Sequence, residues 1–295
     1  MIDTHADLIE RIVAWAETDE NLRAVIMTGS SSRADDTTDR FSDRDIELIA
    51  RDPGKLAVDD TWIHAIAPVW VALYLDNEGL DMPPTRLVFF DGGRKVDFTL
   101  TDRSRLDTMA AAGELNDLYR RGYRVLVDKD GLTERLPAPS GTPPKPHLPT
   151  RKAFADTVTE FWFEAAHLPT YLTRGDLWVV KHRDWTMKQM LLRMLEWHAL
   201  ATQGEGTDTW HIGSRMRRWI DDVTWRELQQ VFARFDAEDS WRALVASMRL
   251  FSRLTRETAR RLDLDYPRET ERHISAYVLG FTGAARKATR EGGEG

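Results

Sequence analysis

Two aspartates separated by a single residue, Asp43 and Asp45, are followed by a third in Lys95-Val96-Asp97. On an extended strand, side chains at i and i+2 leave the same face with Cβ atoms roughly 6 to 7 Å apart, so Asp43 and Asp45 can share one or two hard cations. Magnesium favours such oxygen donors. A third carboxylate from a neighbouring strand, Asp97, would complete a two-metal site that stabilises both the attacking and the departing oxygen in phosphoryl transfer. Upstream, Gly29-Ser30 ends an apolar run in a tight turn, where glycine lets the backbone approach a triphosphate and serine adds amide and hydroxyl donors. Each part alone has a plainer reading, since an Asp-x-Asp pair is commonly a solvated strand face. Their order carries the weight: strand, Gly-Ser, polar loop, Asp-x-Asp strand, then an aspartate in a hairpin strand.

The elements that must position these residues follow from periodicity. Residues 4–18 set Leu8, Ile12 and Trp15 along one helical stripe, with Thr4 and Asp7 spaced as a capping box. Ala24 to Met27 reads as a short buried strand, and Ser31 to Ser42 as a loop. From Asp43 to Ala50 alternation places Asp43, Asp45 and Glu47 opposite Arg44, Ile46, Leu48 and Ala50. Trp62 to Leu75 combines a helix and a strand without a marked boundary. Arg86 to Phe90 and Lys95 to Leu100 form a hairpin through Asp91-Gly92-Gly93-Arg94, with Lys95, Asp97 and Thr99 on one face; Arg124 to Asp128 is a further strand. Leu136 to Pro149 holds six of the twelve prolines and reads as a linker. Beyond it, residues 154–172, 177–202, 225–235, 240–262 and 269–281 carry apolar positions at helical spacing, which predicts a bundle, with a frayed Gly292 to Gly295 end.

Composition bounds the partners. The 295 residues carry a net charge of −7 without a basic block, which argues against nucleic acid as the partner. The longest apolar stretch, interrupted by His64 and Pro68, is too short to span a bilayer, and the acidic start does not resemble a secretory signal. A cytoplasmic protein is expected. With no cysteine, disulfides, thiolate metal sites and cysteine nucleophiles are excluded. The charge leaves oligomeric state open.

The strand, Gly-Ser and three-aspartate layout resembles the polymerase-β-like nucleotidyltransferases, and the segment Met27-Thr-Gly-Ser through Asp43-Arg44-Asp45-Ile46, with Phe41 just ahead of the triplet, is similar to the opening motif of the aminoglycoside 6-adenylyltransferases. Asp91 to Asp97, Val125 to Gly131, Glu160-Phe-Trp-Phe163 and Met194-Leu-Glu-Trp197 resemble that family in the same order. The resemblance implies an α+β fold: an N-terminal nucleotidyltransferase domain, a mixed sheet with helices, over residues 1–135, a proline-rich linker over 136–150, and an all-α helical substrate-binding domain over 151–295. It implies AMP transfer from ATP to an aminoglycoside hydroxyl, streptomycin at its 6-position being the family's substrate, with Mg2+ as cofactor, pyrophosphate as product and antibiotic resistance as consequence. A different hydroxyl acceptor, or a homologue that binds nucleotide without turnover, is the alternative.

Carried onto this chain, the resemblance gives Asp43, Asp45 and Asp97 the metal and Gly29 and Ser30 the phosphates. Aligned through Met194-Leu-Glu-Trp197, Asp184 matches the family's candidate general base, with Asp97 as the competing base. Two positions depart from the pattern. Ser31 stands where the family commonly has arginine, leaving Arg33 or Arg40 to substitute; Pro169-Thr170 replaces a Lys-Gly pair, with Arg174 nearby as a candidate triphosphate contact. A polycationic acceptor calls for acidic and aromatic walls, and Glu160, Glu164, Asp184 and Trp185 are the candidates.

Overall fold

The computed structural model describes residues 5–29, 32, 43–76, 82–141, 146–209 and 211–291. Two compact units divide the chain, Met1–Pro144 and Lys145–Gly295.

The first unit is a mixed six-stranded sheet. Helix α1 (His5–Thr18) leads into β1 (Leu22–Thr28); β2 (Arg44–Ala50) is followed by α2 (Pro53–Val58) and α3 (Thr61–Ile66); then come β3 (Val69–Leu75), β4 (Thr85–Phe90), β5 (Arg94–Thr101), α4 (Ser104–Ala112), α5 (Asp117–Arg121) and β6 (Arg124–Asp128). The strand order is β3-β4-β5-β2-β1-β6. Only β2 and β5 run parallel; the other neighbours are antiparallel. Pro68 separates the helix from the strand within 62–75, as expected of a residue that cannot continue a helix.

Alternation sorts the strands onto two faces. Val25, Met27, Ile46, Leu48, Val96, Phe98 and Leu100 pack with Leu8 and Ile12 of α1 and with Trp62 and Ile63 of α3. Trp15 stacks on Trp62 with ring centroids 5.0 Å apart. On the other face a smaller cluster of Ala24, Ile26 and Ile49 lies with Leu106, Met109 and Tyr119 of α4 and α5. The row Asp45, Glu47 and Ile49 belongs to this second face. The helices α2, α4 and α5 were not expected from the sequence; five to nine residues give too few turns for a periodic signal.

The second unit is helical: α6 (Arg151–Arg174), α7 (Leu177–Gln203), α8 (Asp222–Leu228), α9 (Ala237–Leu262) and α10 (Arg268–Glu291). Its core joins Phe161 and Trp162 of α6, Met187 and Met194 of α7, and Phe251 of α9, with the Phe161 and Phe251 rings stacked at 3.6 Å. Pro169 lies buried within α6, and the helix continues through it to Arg174. The expectation of a helix over 225–235 needs correcting, because α8 begins earlier and stops at Leu228. Asp221 caps its start by accepting from the Thr224 amide, whereas Asp236 caps α9 by accepting from the Asp239 amide. A residue serving as N-cap has left helical geometry, so one helix cannot run through to it. Residues 292–295 lie outside the described residues.

The mixed sheet with its helices and the separate helical unit together give the α+β architecture that the sequence implied.

Candidate active site

Register brings the aspartates together. Asp45 of β2 lies directly beside Asp97 of parallel β5, and on its other side beside Thr28 of β1. Neighbouring strands are roughly 4.8 Å apart, so opposed side chains on one face converge. Asp43 immediately precedes β2. The end of β1 and the starts of β2 and β5 thus put three carboxylates at one end of the sheet.

Gly29 follows β1 with φ +69°, a left-handed conformation that costs other residues strain. It also sits against the cluster: a Cβ built on Gly29 would lie 1.8 Å from Asp45 Oδ2 and 2.7 Å from its Cγ. Only a residue without a side chain leaves this carboxylate in place. The turn is held by the Ser32 hydroxyl, which donates to the carbonyls of Gly29 at 2.9 Å and Gly122 at 2.7 Å. Ser30, Arg33 and Arg40 lie outside the described residues.

A cation not assigned a role from the sequence completes the cluster. The Lys95 ammonium donates to Asp43 Oδ2 at 2.6 Å and to Asp97 Oδ2 at 2.9 Å. Burial lowers its pKa, but the two paired carboxylates outweigh burial and hold it above the usual lysine value. Burial raises the pKa of Asp97, with Lys95 opposing. Asp97 Oδ1 is buried without a hydrogen-bond partner. The position of Lys95, two residues before Asp97 on an alternating strand, was the signal available in the sequence.

Glu47 departs from the row of carboxylates that alternation led one to expect. It is buried beneath α4 and α5, where the Tyr119 hydroxyl donates to Oε2 at 2.7 Å and Arg105 approaches Oε1 at 3.1 Å. Burial raises its pKa. Its role is to anchor the covering helices.

The donor chemistry of the cluster fits a hard divalent cation: three carboxylates, one with an orphaned buried oxygen, and a glycine cradle beside another. As arranged, the three do not converge on a single point; among the described residues no three His, Cys, Asp or Glu side chains form a ligand set, and the Lys95 ammonium bridges Asp43 and Asp97.

In the helical unit, Glu164 of α6 pairs with Arg183 of α7 at 3.0 Å, and the guanidinium lies 5.2 Å above the Tyr171 ring. Asp184 Oδ1 accepts from Lys188 at 2.6 Å, and Lys188 in turn donates to the buried Ser247 hydroxyl at 2.9 Å. Burial depresses the Lys188 pKa, with Asp184 opposing. Asp184 is therefore a fixed, paired carboxylate rather than a freely solvated one. Trp185 and Trp178 are 60% and 80% exposed, Glu160 is exposed on α6, and Arg174 is exposed in its last turn. Trp197, by contrast, belongs to the core.

Glu196 is a second half-buried acid of α7, and its partial burial pushes its pKa up to about 6 against the influence of Arg193. Between its ordinary value of 4.5 and about 6 the folded protein holds a proton that the unfolded chain releases, so this group's stabilisation is present below that window and fades as pH rises through it. Glu196→Gln should flatten this decline in thermal midpoint between pH 4.5 and 6.

The family model described as streptomycin adenylyltransferase matches residues 2–280. The aminoglycoside 6-adenylyltransferase of Bacillus subtilis is 24% identical over 284 residues, covering 93% of this chain and 96% of the relative. That of Campylobacter jejuni is 25% identical over 281 residues, covering 92% and 94%. The crystal structure of an aminoglycoside 6-adenyltransferase from Bacillus subtilis aligns with a TM-score of 0.44 at 20% identity, over 94% of this chain and 97% of that one.

Proposed function

The chain belongs to the streptomycin adenylyltransferase family, and from that premise we propose that it transfers AMP from ATP to an aminoglycoside hydroxyl, with streptomycin and its 6-hydroxyl as the first acceptor. The observation that carries this reading is the pairing of Asp45 with Asp97 on parallel strands, with Gly29 against one carboxylate and Asp43 beside the other.

In this reading Asp43, Asp45 and Asp97 hold Mg2+, which when bound offsets triphosphate charge and acidifies the attacking hydroxyl. Gly29 and Ser30 seat the phosphates, with Arg33, Arg40 and Arg174 as candidate counter-charges in place of the arginine absent at Ser31. The acceptor oxygen bonds to the α-phosphorus as the bond to the bridging oxygen breaks, and pyrophosphate leaves. The hydroxyl proton passes to a carboxylate. Two can take it: Asp97, whose pKa burial raises, and Asp184, whose orientation Lys188 fixes. Glu160, Glu164 and Trp185 receive the cationic acceptor, carboxylates for its ammonium or guanidinium groups and an aromatic face for a sugar ring. Residues 1–135 bind nucleotide and 151–295 bind acceptor.

A panel of purified acceptors, aminoglycosides beside other antibiotic and metabolite alcohols, incubated with ATP and Mg2+ tests the assignment. Pyrophosphate release confined to aminoglycosides is expected; release with another acceptor class alone overturns it.

A further inference from the structure

We propose that Lys95 is the resident counter-ion of the aspartate cluster, a positioning residue that holds Asp43 and Asp97 together before a divalent cation enters and releases them when it does. The inference rests on the reading of the cluster as a cation site.

The geometry supports it in three ways. First, Asp45 and Asp97 are directly opposed on neighbouring strands, and Asp43 stands beside them, an arrangement of like charges that destabilises a sheet unless a cation offsets it. The Lys95 ammonium supplies that offset from the same strand face, bonded to two of the three carboxylates at 2.6 and 2.9 Å. Second, it lies between Asp43 and Asp97, where an ion shared by them would lie. Magnesium draws its oxygens to about 2.0 to 2.1 Å, closer than an ammonium does, so the two cations cannot share these oxygens in one arrangement. Third, the Lys95 side chain is only 23% exposed and rooted two residues from Asp97, so a displaced ammonium stays at this end of the sheet.

The consequence is a coupling between cation and nucleotide. A bare divalent cation must break two ion pairs and strand the ammonium. A cation arriving with a triphosphate brings oxygens that accept the displaced ammonium, because phosphate oxygens replace the carboxylates as its partners. Lys95 thereby disfavours the bare cation and favours the cation carried by nucleotide.

The test uses the full chain without nucleotide, titrated with Mn2+ and followed by calorimetry or the paramagnetic signal of the free ion. Lys95→Met should bind Mn2+ about tenfold more tightly than the parent protein, because the competing cation is gone, while Lys95→Arg, which keeps the charge, should not. Metal-free K95M should also unfold at a lower temperature and recover on addition of Mn2+, and in turnover it should raise KM for ATP more than it lowers kcat. Lys95→Gln repeats the comparison with a polar side chain should K95M not fold. Equal or weaker Mn2+ binding by the neutral variants overturns the inference, as does tighter binding by K95R. If no variant shows Mn2+ binding that Asp97→Asn removes, the reading of the cluster as a cation site falls as well.

Discussion

Replacing Asp45 by asparagine is expected to lower turnover by about 10³-fold or more, about 4 kcal/mol of transition-state stabilisation, without lowering the thermal midpoint. Asp45 faces Asp97 across paired strands, so removing its charge relieves a like-charge opposition, while the amide keeps an oxygen acceptor in the same place. Shape is conserved. A loss of activity accompanied by an unchanged or raised midpoint therefore assigns the effect to chemistry. Circular dichroism melting beside steady-state kinetics makes the check, and near-parental activity in the variant would remove the cluster from the mechanism.

Gly29→Ala should act on the same group from the opposite side. The new methyl carbon would stand 1.8 Å from Asp45 Oδ2, and φ of +69° disfavours any residue with a Cβ. The carboxylate or the turn must move. We expect stability to fall by about 1 to 2 kcal/mol and kcat/KM by about 10²-fold, since displacing a reacting group by about 1 Å costs that much. The pair is informative: in the Asp45→Asn background, Gly29→Ala should cost little further activity, because both changes disable one carboxylate. Independent, multiplying losses would mean that Gly29 acts through phosphate contact alone.

The sequence made the alternation of β2 and β5 legible, because Ile46, Leu48, Val96 and Phe98 had to share the buried face, which left Asp45, Asp97 and Lys95 on the other. What it could not give was the partner of each strand. The neighbours of β2 are fixed by long-range pairing, so the opposition of Asp45 to Asp97, and hence the bridging position of Lys95, emerges only in three dimensions. Glu47 shows the same limit: its phase matched Asp45, but its burial depends on α4 and α5, whose brevity left no periodic trace. The long helices α6, α7 and α9 were readable because each repeats its apolar stripe over many turns. The ion pair of Asp184 with Lys188 was within reach of inspection, since i and i+4 residues meet on a helix. The burial of Lys188, which donates to Ser247 of α9 and so holds Asp184 oriented, came from packing between helices distant in the sequence.

The most direct test of adenylyl transfer to an aminoglycoside is the mass spectrum of streptomycin after incubation with ATP, Mg2+ and the purified protein. One added adenylyl group on streptomycin, with an equivalent of pyrophosphate released and neither formed by Asp45→Asn, is the predicted result. Unmodified streptomycin beside a folded protein that binds ATP, with other aminoglycosides equally unchanged, would contradict it.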